Sequence, residues 1–226
     1  MENERKIRSF VLRKGRITAR EQHGLDTCWA KHGVVVEEGV RLNFRQLFDN
    51  DKPVVLDIGF GMGAALVEMA QRDQSRNYIG VEVFLRGIGS VLSSIEELGL
   101  SNLKVINHDA LELLINHISA ESISKCCVFF PDPWHKHKHK KRRLINYEFI
   151  DILSGRMSNE GILHIATDWD DYAAQCVRIL QQHSAYEVLD CSQGNSISPR
   201  LMTKYEARGL ALGHDIHDIF CRKISQ

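Results

Sequence analysis

The chain lacks any apolar run long enough to span a membrane, and its first residues lack the apolar core of a secretory leader. No membrane role is expected, and the cytoplasm is the expected compartment. It also lacks a net charge, since 29 Lys and Arg balance 29 Asp and Glu. A polyanion would have to be held by local clusters rather than by the overall field. Six cysteines stand at 28, 126, 127, 176, 191 and 221 with no Cys-x-x-Cys pair, which reads as scattered reduced thiols. Internal repeats, a dividing linker and low-complexity segments beyond one basic tract are missing too. What remains is one domain of ordinary size. It has 226 residues, 43% hydrophobic and 26% charged, and can remove roughly 70% of its unfolded surface from water.

What is present centres on residues 129–143. Cys126 to Phe130 is a short apolar run that reads as a buried strand. Pro131 and Pro133 end it, because proline cannot donate to a sheet ladder. Asp132 stands between them, beside Trp134. Lys136, Lys138, Lys140, Lys141, Arg142 and Arg143 follow within eight residues, interleaved with His135, His137 and His139. A carboxylate at a strand end suggests chemistry, and a dense basic tract beside it suggests a polyanion. A charge run alone is most often a solvated face. Alternating His and Lys can also be a weak metal site, but adjacent cations would repel the ion and carboxylates nearby are few, so no metal is expected. A solvated loop does not explain why the tract is joined to Pro-Asp-Pro-Trp at a buried strand's end.

Residues 1–20 carry seven Lys and Arg against Glu2 and Glu4, a net +5 with few large apolar residues. Such an arm is expected to be mobile, or to order only against an anion. A merely solubilising tail is the alternative. Residues 21–50 show no motif. From Val54 the pattern is regular. Strands are predicted at 54–58, 78–83, 103–107, 126–130, 161–167 and 186–189, with a last one at 216–224. Helices are predicted at 64–72, 84–98, 110–118, 147–157 and 169–183. Strands alternating with helices give an α/β fold: a doubly wound, mostly parallel seven-stranded sheet with helices on both faces. The division is a basic arm and lead-in over 1–50 and the main domain over 51–226.

Such sheets bind ligands outside the carboxyl ends of their strands. Asp57, Glu82, Asp109, Asp132 and Asp168 all fall there. Each taken singly reads as well as a surface acid or helix cap; the pattern over five strands is the stronger signal. Gly59 and Gly61 let the backbone turn sharply and approach a ligand. With Ala64 and Glu82 they loosely match a dinucleotide fingerprint. Three features oppose a dinucleotide. Asp57 would repel a pyrophosphate but attract an ammonium or sulfonium. The spacing, with Gly63, is Gly-x-Gly-x-Gly. Asp109 is placed to accept from an adenine amino group. A cation joined to a ribose and an adenine describes S-adenosylmethionine better than NAD.

Asp57 to Gly63 resembles the first motif of class I, Rossmann-like methyltransferases. The wider set resembles the bacterial tRNA (guanine-N7)-methyltransferases. The matching segments are 56–63, 80–83, 108–110, 129–136, 141–143, 166–169 and 203–206, in order over most of the chain. Pro-Asp-Pro-Trp followed by basic residues is the specific part; the glycine loop alone is not. The resemblance implies methylation of guanosine 46 in the tRNA variable loop. It implies donor contacts from Asp57, Glu82, Asp109 and Asp132, with Gly59, Gly61 and Gly63 in the loop. It implies substrate contacts from Lys136, Asp168, Thr203, Lys204, Tyr205 and Glu206. Lys138, His139, Lys140, Lys141, Arg142 and Arg143 fall where the family holds RNA. Asp57 departs from the pattern, where Glu is as readily expected; the shorter side chain still supplies the charge. His137 and His139 cannot be tied to the motif.

Guanine N7 has an in-plane lone pair and no proton, so alignment rather than proton abstraction is the chemical problem. Asp132 is the candidate for alignment and charge at the reacting centre. Asp168 and Glu206 are candidates to accept from guanine N1–H and N2–H. Trp134 reads as a base-stacking platform or, somewhat better, as a core residue closing the strand. A non-catalytic RNA-binding protein on the same fold stays open, as does a weaker NAD-dependent reading. Neither a monomer nor a homodimer is favoured.

Overall fold

The computed structural model of the chain describes residues 8–11, 15–197 and 203–225. Helix α1 (Ala19–His23) runs through a π-helical turn (Gly24–Cys28) into α2 (Trp29–His32), and α3 (Phe44–Phe48) follows. Next come β1 (Val54–Ile58), α4 (Ala64–Arg72), β2 (Asn77–Glu82), α5 (Leu85–Leu98), β3 (Leu103–Asn107), α6 (Ala110–Asn116) and β4 (Ile123–Phe129). A 3-10 turn (His137–Arg142) leads to α7 (Tyr147–Ser154), β5 (Met157–Thr167), α8 (Asp170–Gln182) and β6 (Tyr186–Leu189). Helices α9 (Cys191–Ile197) and α10 (Lys204–Ala211) precede β7 (His217–Lys223).

The strands make one sheet in the order β3-β2-β1-β4-β5-β7-β6. All neighbours are parallel except β7, which runs antiparallel to β5 and β6. The expected architecture is therefore the observed one. β1 is buried along its length, as a central strand covered on both faces must be. Strand alternation sends Val54, Leu56 and Ile58 into a core shared with Leu113, Phe149 and Tyr172, from α6, α7 and α8. It sends Val55 into the opposite core with Leu66, Ile88 and Val91, from α4 and α5.

The lead-in segment packs into the same body. Glu21 of α1 is buried and held by Arg86 of α5 at 2.9 Å. That guanidinium, with the Thr18 hydrogen bonds, pulls the Glu21 carboxyl down to about 2 against its burial. Val34 donates its N–H to the Val105 carbonyl at the sheet's edge, and Phe48 enters the main core.

Boundaries differ from expectation where polar residues sit inside strands. β4 begins at Ile123 rather than Cys126, because Ser124 and Lys125 interrupt its apolar run; a register shift falls between Ile123 and Lys125. β5 begins at Met157 rather than Gly161, ahead of Ser158, Asn159 and Glu160, and so takes the last residue of the predicted 147–157 helix. Helices α1 to α3, α9 and α10 were not predicted. Two of them open on a signal written in the sequence, the reciprocal Thr-x-x-Glu capping box of Thr18 with Glu21 and of Thr203 with Glu206. Among the described residues no helix is long and apolar enough to cross a membrane.

Candidate active site

The carboxyl ends of β1, β2, β3 and β4 converge on a cavity of about 240 Å³. It lies at the point where strand order departs from β1 in both directions, where parallel α/β sheets take ligands. Gly59 takes φ +74°, with open space where a side chain would project. Behind the loop, Gly87 of α5 approaches so closely that a Cβ there would stand 1.8 Å from the Gly61 carbonyl oxygen. A side chain at 87 would push the loop into the cavity.

Glu82 fixes that loop from the end of β2. Its Oε2 accepts from the Gly61 N–H at 2.8 Å, and its Oε1 from the N–H groups of Val83 and Phe84 at 2.7 and 3.0 Å. Burial raises its carboxyl above the ordinary value, the three N–H donors oppose this, and the Asp132 charge raises it further. Glu82 and Asp132 both line the cavity. Phe130 and Trp134, on either side of Asp132, take φ +52° and +46°. Bulky residues rarely occupy that left-handed region, and strain of this kind persists where surrounding structure enforces it. Here the Phe130 N–H is bound to the Ala166 carbonyl at 2.7 Å while the chain turns out of the sheet.

Three of the expected donor residues stand behind the cavity rather than on its wall. Asp57 is buried, on the same face of β1 as Val55. Burial pushes its carboxyl up to about 7, the Lys125 charge opposes, and Glu82 adds to the rise. Gly63 begins α4 at φ +78°, packed against Val91. Asp109 caps α6, its Oδ1 accepting from the N–H groups of Leu111 and Glu112 at 2.9 and 3.1 Å. Its neighbours His108 and Ala110 do reach the wall.

Asp168 follows β5, the strand beside β4, and lies outside this cavity. His214 Nδ1 lies 3.4 Å from its Oδ2, and Gly209 of α10 packs against its side chain. Just beyond, His217 Nε2 meets Asp170 Oδ1 at 2.8 Å. These two pairs tie the connection after α10 to the turn that carries Asp168. The capping pair Thr203 and Glu206 opens the same helix. The side chains of Lys204 and Tyr205 lie outside the described residues. The histidine pairs were missed because His214 and His217 stand 46 and 47 residues from their partners, with no local signal.

The basic tract divides. Lys136, Lys138 and Lys141 are exposed, while Lys140 pairs with Asp171 at 2.7 Å. Arg143 contradicts its expected contact with RNA: it is 1% exposed and points into the protein. It donates to Asp171 Oδ2 at 2.6 Å, Gln175 Oε1 at 2.7 Å and the Pro133 carbonyl at 2.8 Å, with its guanidinium over the Tyr172 ring. Arg142 lies 3.9 Å above the Trp134 ring and donates to the Arg8 and Phe10 carbonyls at 2.9 and 3.0 Å. Trp134 Nε1–H donates to the Ser9 carbonyl at 3.0 Å, and His139 stands edge-on to the indole. Trp134 is therefore neither a core residue nor an open stacking platform.

Ser9, Phe10 and Val11 line the cavity. In this part of the basic arm, the carbonyls of residues 8–10 are bound by the protein's own side chains. The apolar pair Phe10-Val11 was the one available signal, submerged in a run of positive charge. Among the described residues no cluster of three or more His, Cys, Asp or Glu could hold a metal. The six cysteines form no disulfide, and Cys191 alone is exposed.

Comparison with known proteins places these features in context. A family described as "Putative methyltransferase" matches residues 51–219. A tRNA (guanine-N(7)-)-methyltransferase of Vibrio vulnificus (strain YJ016) is 43% identical over 225 residues, covering 98% of this chain and 93% of its own. One of Francisella tularensis subsp. novicida (strain U112) is 43% identical over 223 residues, covering 99% and 97%. Among solved structures, the 16S rRNA methyltransferase KamB superposes with a TM-score of 0.60 at 15% identity, covering 80% of this chain and 93% of that one. This last is a likeness of fold.

Proposed function

The chain belongs to the family of tRNA (guanine-N7)-methyltransferases, and from that membership we propose that it methylates N7 of guanosine 46 in the tRNA variable loop, with S-adenosylmethionine as donor. The observation that carries this reading is the meeting of two carboxylates, Glu82 and Asp132, on one cavity behind a glycine loop, with a basic tract beginning four residues past Asp132.

The cavity's residues suit that donor. Gly59 and Gly61 leave backbone bare for close approach. Glu82 keeps one lone pair, on Oε2, for a ribose hydroxyl beyond the three spent on the loop, since each carboxylate oxygen has two. Asp109 spends Oδ1 on α6 and offers Oδ2 to an adenine amino group. Asp57 stands behind the loop and supplies negative charge there when ionised. When bound, S-adenosylmethionine supplies an electrophilic methyl group on a sulfonium centre.

Asp132 is the catalytic residue. Guanine N7 needs no base to expose its lone pair, so the protein's task is to hold the base in line, which can contribute several kcal/mol. As N7 gains the methyl, the ring becomes cationic, and a fixed carboxylate stabilises that charge as it develops. Asp168 and Glu206 accept from N1–H and N2–H, and Lys136, Thr203, Lys204 and Tyr205 complete the substrate site. Lys138 and Lys141 meet tRNA phosphates, with Lys140 and His139 beside them. Residues 51–226 form the methyltransferase domain, 1–50 the arm and lead-in, and the enzyme acts in the cytoplasm.

An unmodified tRNA transcript with guanosine 46 replaced by adenosine tests the reading. Acceptor activity is expected to vanish with the replacement. Undiminished labelling would put the target elsewhere, and no labelling of either transcript would leave an RNA-binding protein without catalysis.

A further inference from the structure

Ser9, Phe10 and Val11 share the cavity wall with Glu82 and Asp132. Two side chains from the segment after Asp132 hold them there. Trp134 binds the Ser9 carbonyl through Nε1–H, and Arg142 binds the carbonyls of Arg8 and Phe10 through two different nitrogens. Arg142 also lies over the Trp134 indole, so the two holders brace each other. The segment 8–11 thus joins the basic tract to the wall of the cavity that Asp132 also lines.

The charges show how such a wall is released. Lys140 and Arg143 both have the Asp171 carboxylate as partner. Arg142's described partners are two carbonyl dipoles and a ring face, none of which carries a full charge. It follows directly on exposed Lys141 in the tract assigned above to tRNA. A phosphate offers full negative charge and two oxygens to a planar guanidinium, a stronger partner than two neutral carbonyls.

We propose that residues 8–11 are a removable wall of the donor site, latched by Trp134 and Arg142, and that a tRNA phosphate taken up by Arg142 releases the latch. The proposal rests on reading the cavity as the donor site. Trp134 and Arg142 are positioning residues in this scheme: they act through Phe10 and its neighbours. Without tRNA the wall retards exchange of the donor. With tRNA the guanine gains its approach, and the spent donor gains its exit.

The test is the dissociation rate of S-adenosylhomocysteine, measured by displacement with excess competitor, with and without unmodified tRNA. Wild-type protein is expected to release it slowly alone and roughly ten- to a hundredfold faster with tRNA, the worth of a lost hydrogen bond to a charged group. Arg142→Ala is expected to release it fast in both conditions. Trp134→Phe, which keeps a ring for Arg142 and loses the bond to Ser9, should fall between. Equal rates for Arg142→Ala and wild type without tRNA would overturn the latch. An unchanged or slower wild-type rate with tRNA would overturn the sharing of Arg142, and this arm needs no variant. Failure of the wild type to bind S-adenosylhomocysteine at all would instead remove the donor reading, and the proposal with it.

Discussion

Arg143 donates from Nη2 to Asp171 at 2.6 Å from a position with 1% exposure, two residues after exposed Lys141. Neighbours in one basic run therefore do opposite work. Arg143→Ala should lose about 3 kcal/mol of stability, because it empties a buried site and strands the Pro133 carbonyl and Gln175. The ion pair itself contributes little of this, since Asp171 is 54% exposed and keeps Lys140. Lys141→Ala should stay within about 0.5 kcal/mol of wild type. Urea unfolding of the two variants distinguishes them; equal stabilities would contradict the assignment of Arg143 to the interior.

The exposed lysines of the tract should carry the salt dependence of tRNA binding. Each phosphate contact contributes about −0.9 for duplex, or about −0.7 for single strands, to the slope of log affinity against log salt. Lys138→Ala with Lys141→Ala should therefore flatten the slope by between roughly one and two units. Filter binding across a salt series measures it, and an unchanged slope would leave these side chains merely solvated.

Asp57 gives stability a defined pH dependence. Its carboxyl is raised from 3.8 to about 7 by burial, so the folded protein binds this proton more tightly than the unfolded chain. The penalty for ionising it is absent below about pH 4, grows as pH rises toward 7, and is complete above. It amounts to something on the order of 4 kcal/mol. Asp57→Asn should remove this part of the slope and be more stable than wild type at pH 8, while binding the cationic donor less well. Urea unfolding at pH 5 and pH 8 checks the sign; a wild type whose stability rises over that interval by as much as the variant's would contradict it.

Glu82→Ala should weaken S-adenosylhomocysteine binding about ten- to a hundredfold, since it removes the acceptor of three loop N–H groups and the inferred ribose contact. Calorimetry measures this directly. Wild-type affinity in the variant would show that the loop holds its shape without Glu82 and that the ribose is read elsewhere.

Much of this molecule is written in local pattern. β1, β3, β6 and α4 fall at the predicted residues because apolar runs bounded by glycine or charge have few alternatives. Gly59, Gly61, Glu82 and Asp132 were legible because parallel sheets bring strand ends together whatever the intervening sequence. The misreadings share a physical cause. Whether a basic side chain meets solvent or protein depends on what packs against it. Arg143 has Asp171 and Tyr172 from α8, and Arg142 has the carbonyls of residues more than 130 positions earlier. Likewise Asp57 carries the charge expected of a donor contact, but its alternation on β1 turns it away from the wall. Asp109 is the helix cap that was one reading weighed for it, and its neighbours His108 and Ala110 reach the cavity wall.

The most direct measurement is transfer of a labelled methyl group from S-adenosylmethionine to an unmodified tRNA transcript, with the labelled position identified by cleavage specific for N7-methylguanosine. The account predicts label at guanosine 46 with wild-type protein. It also predicts a large fall in turnover for Asp132→Asn, which keeps the shape of the side chain without its charge and should stay folded and bind tRNA. No transfer by wild type, label at another atom or base, or near-normal turnover by Asp132→Asn would contradict it.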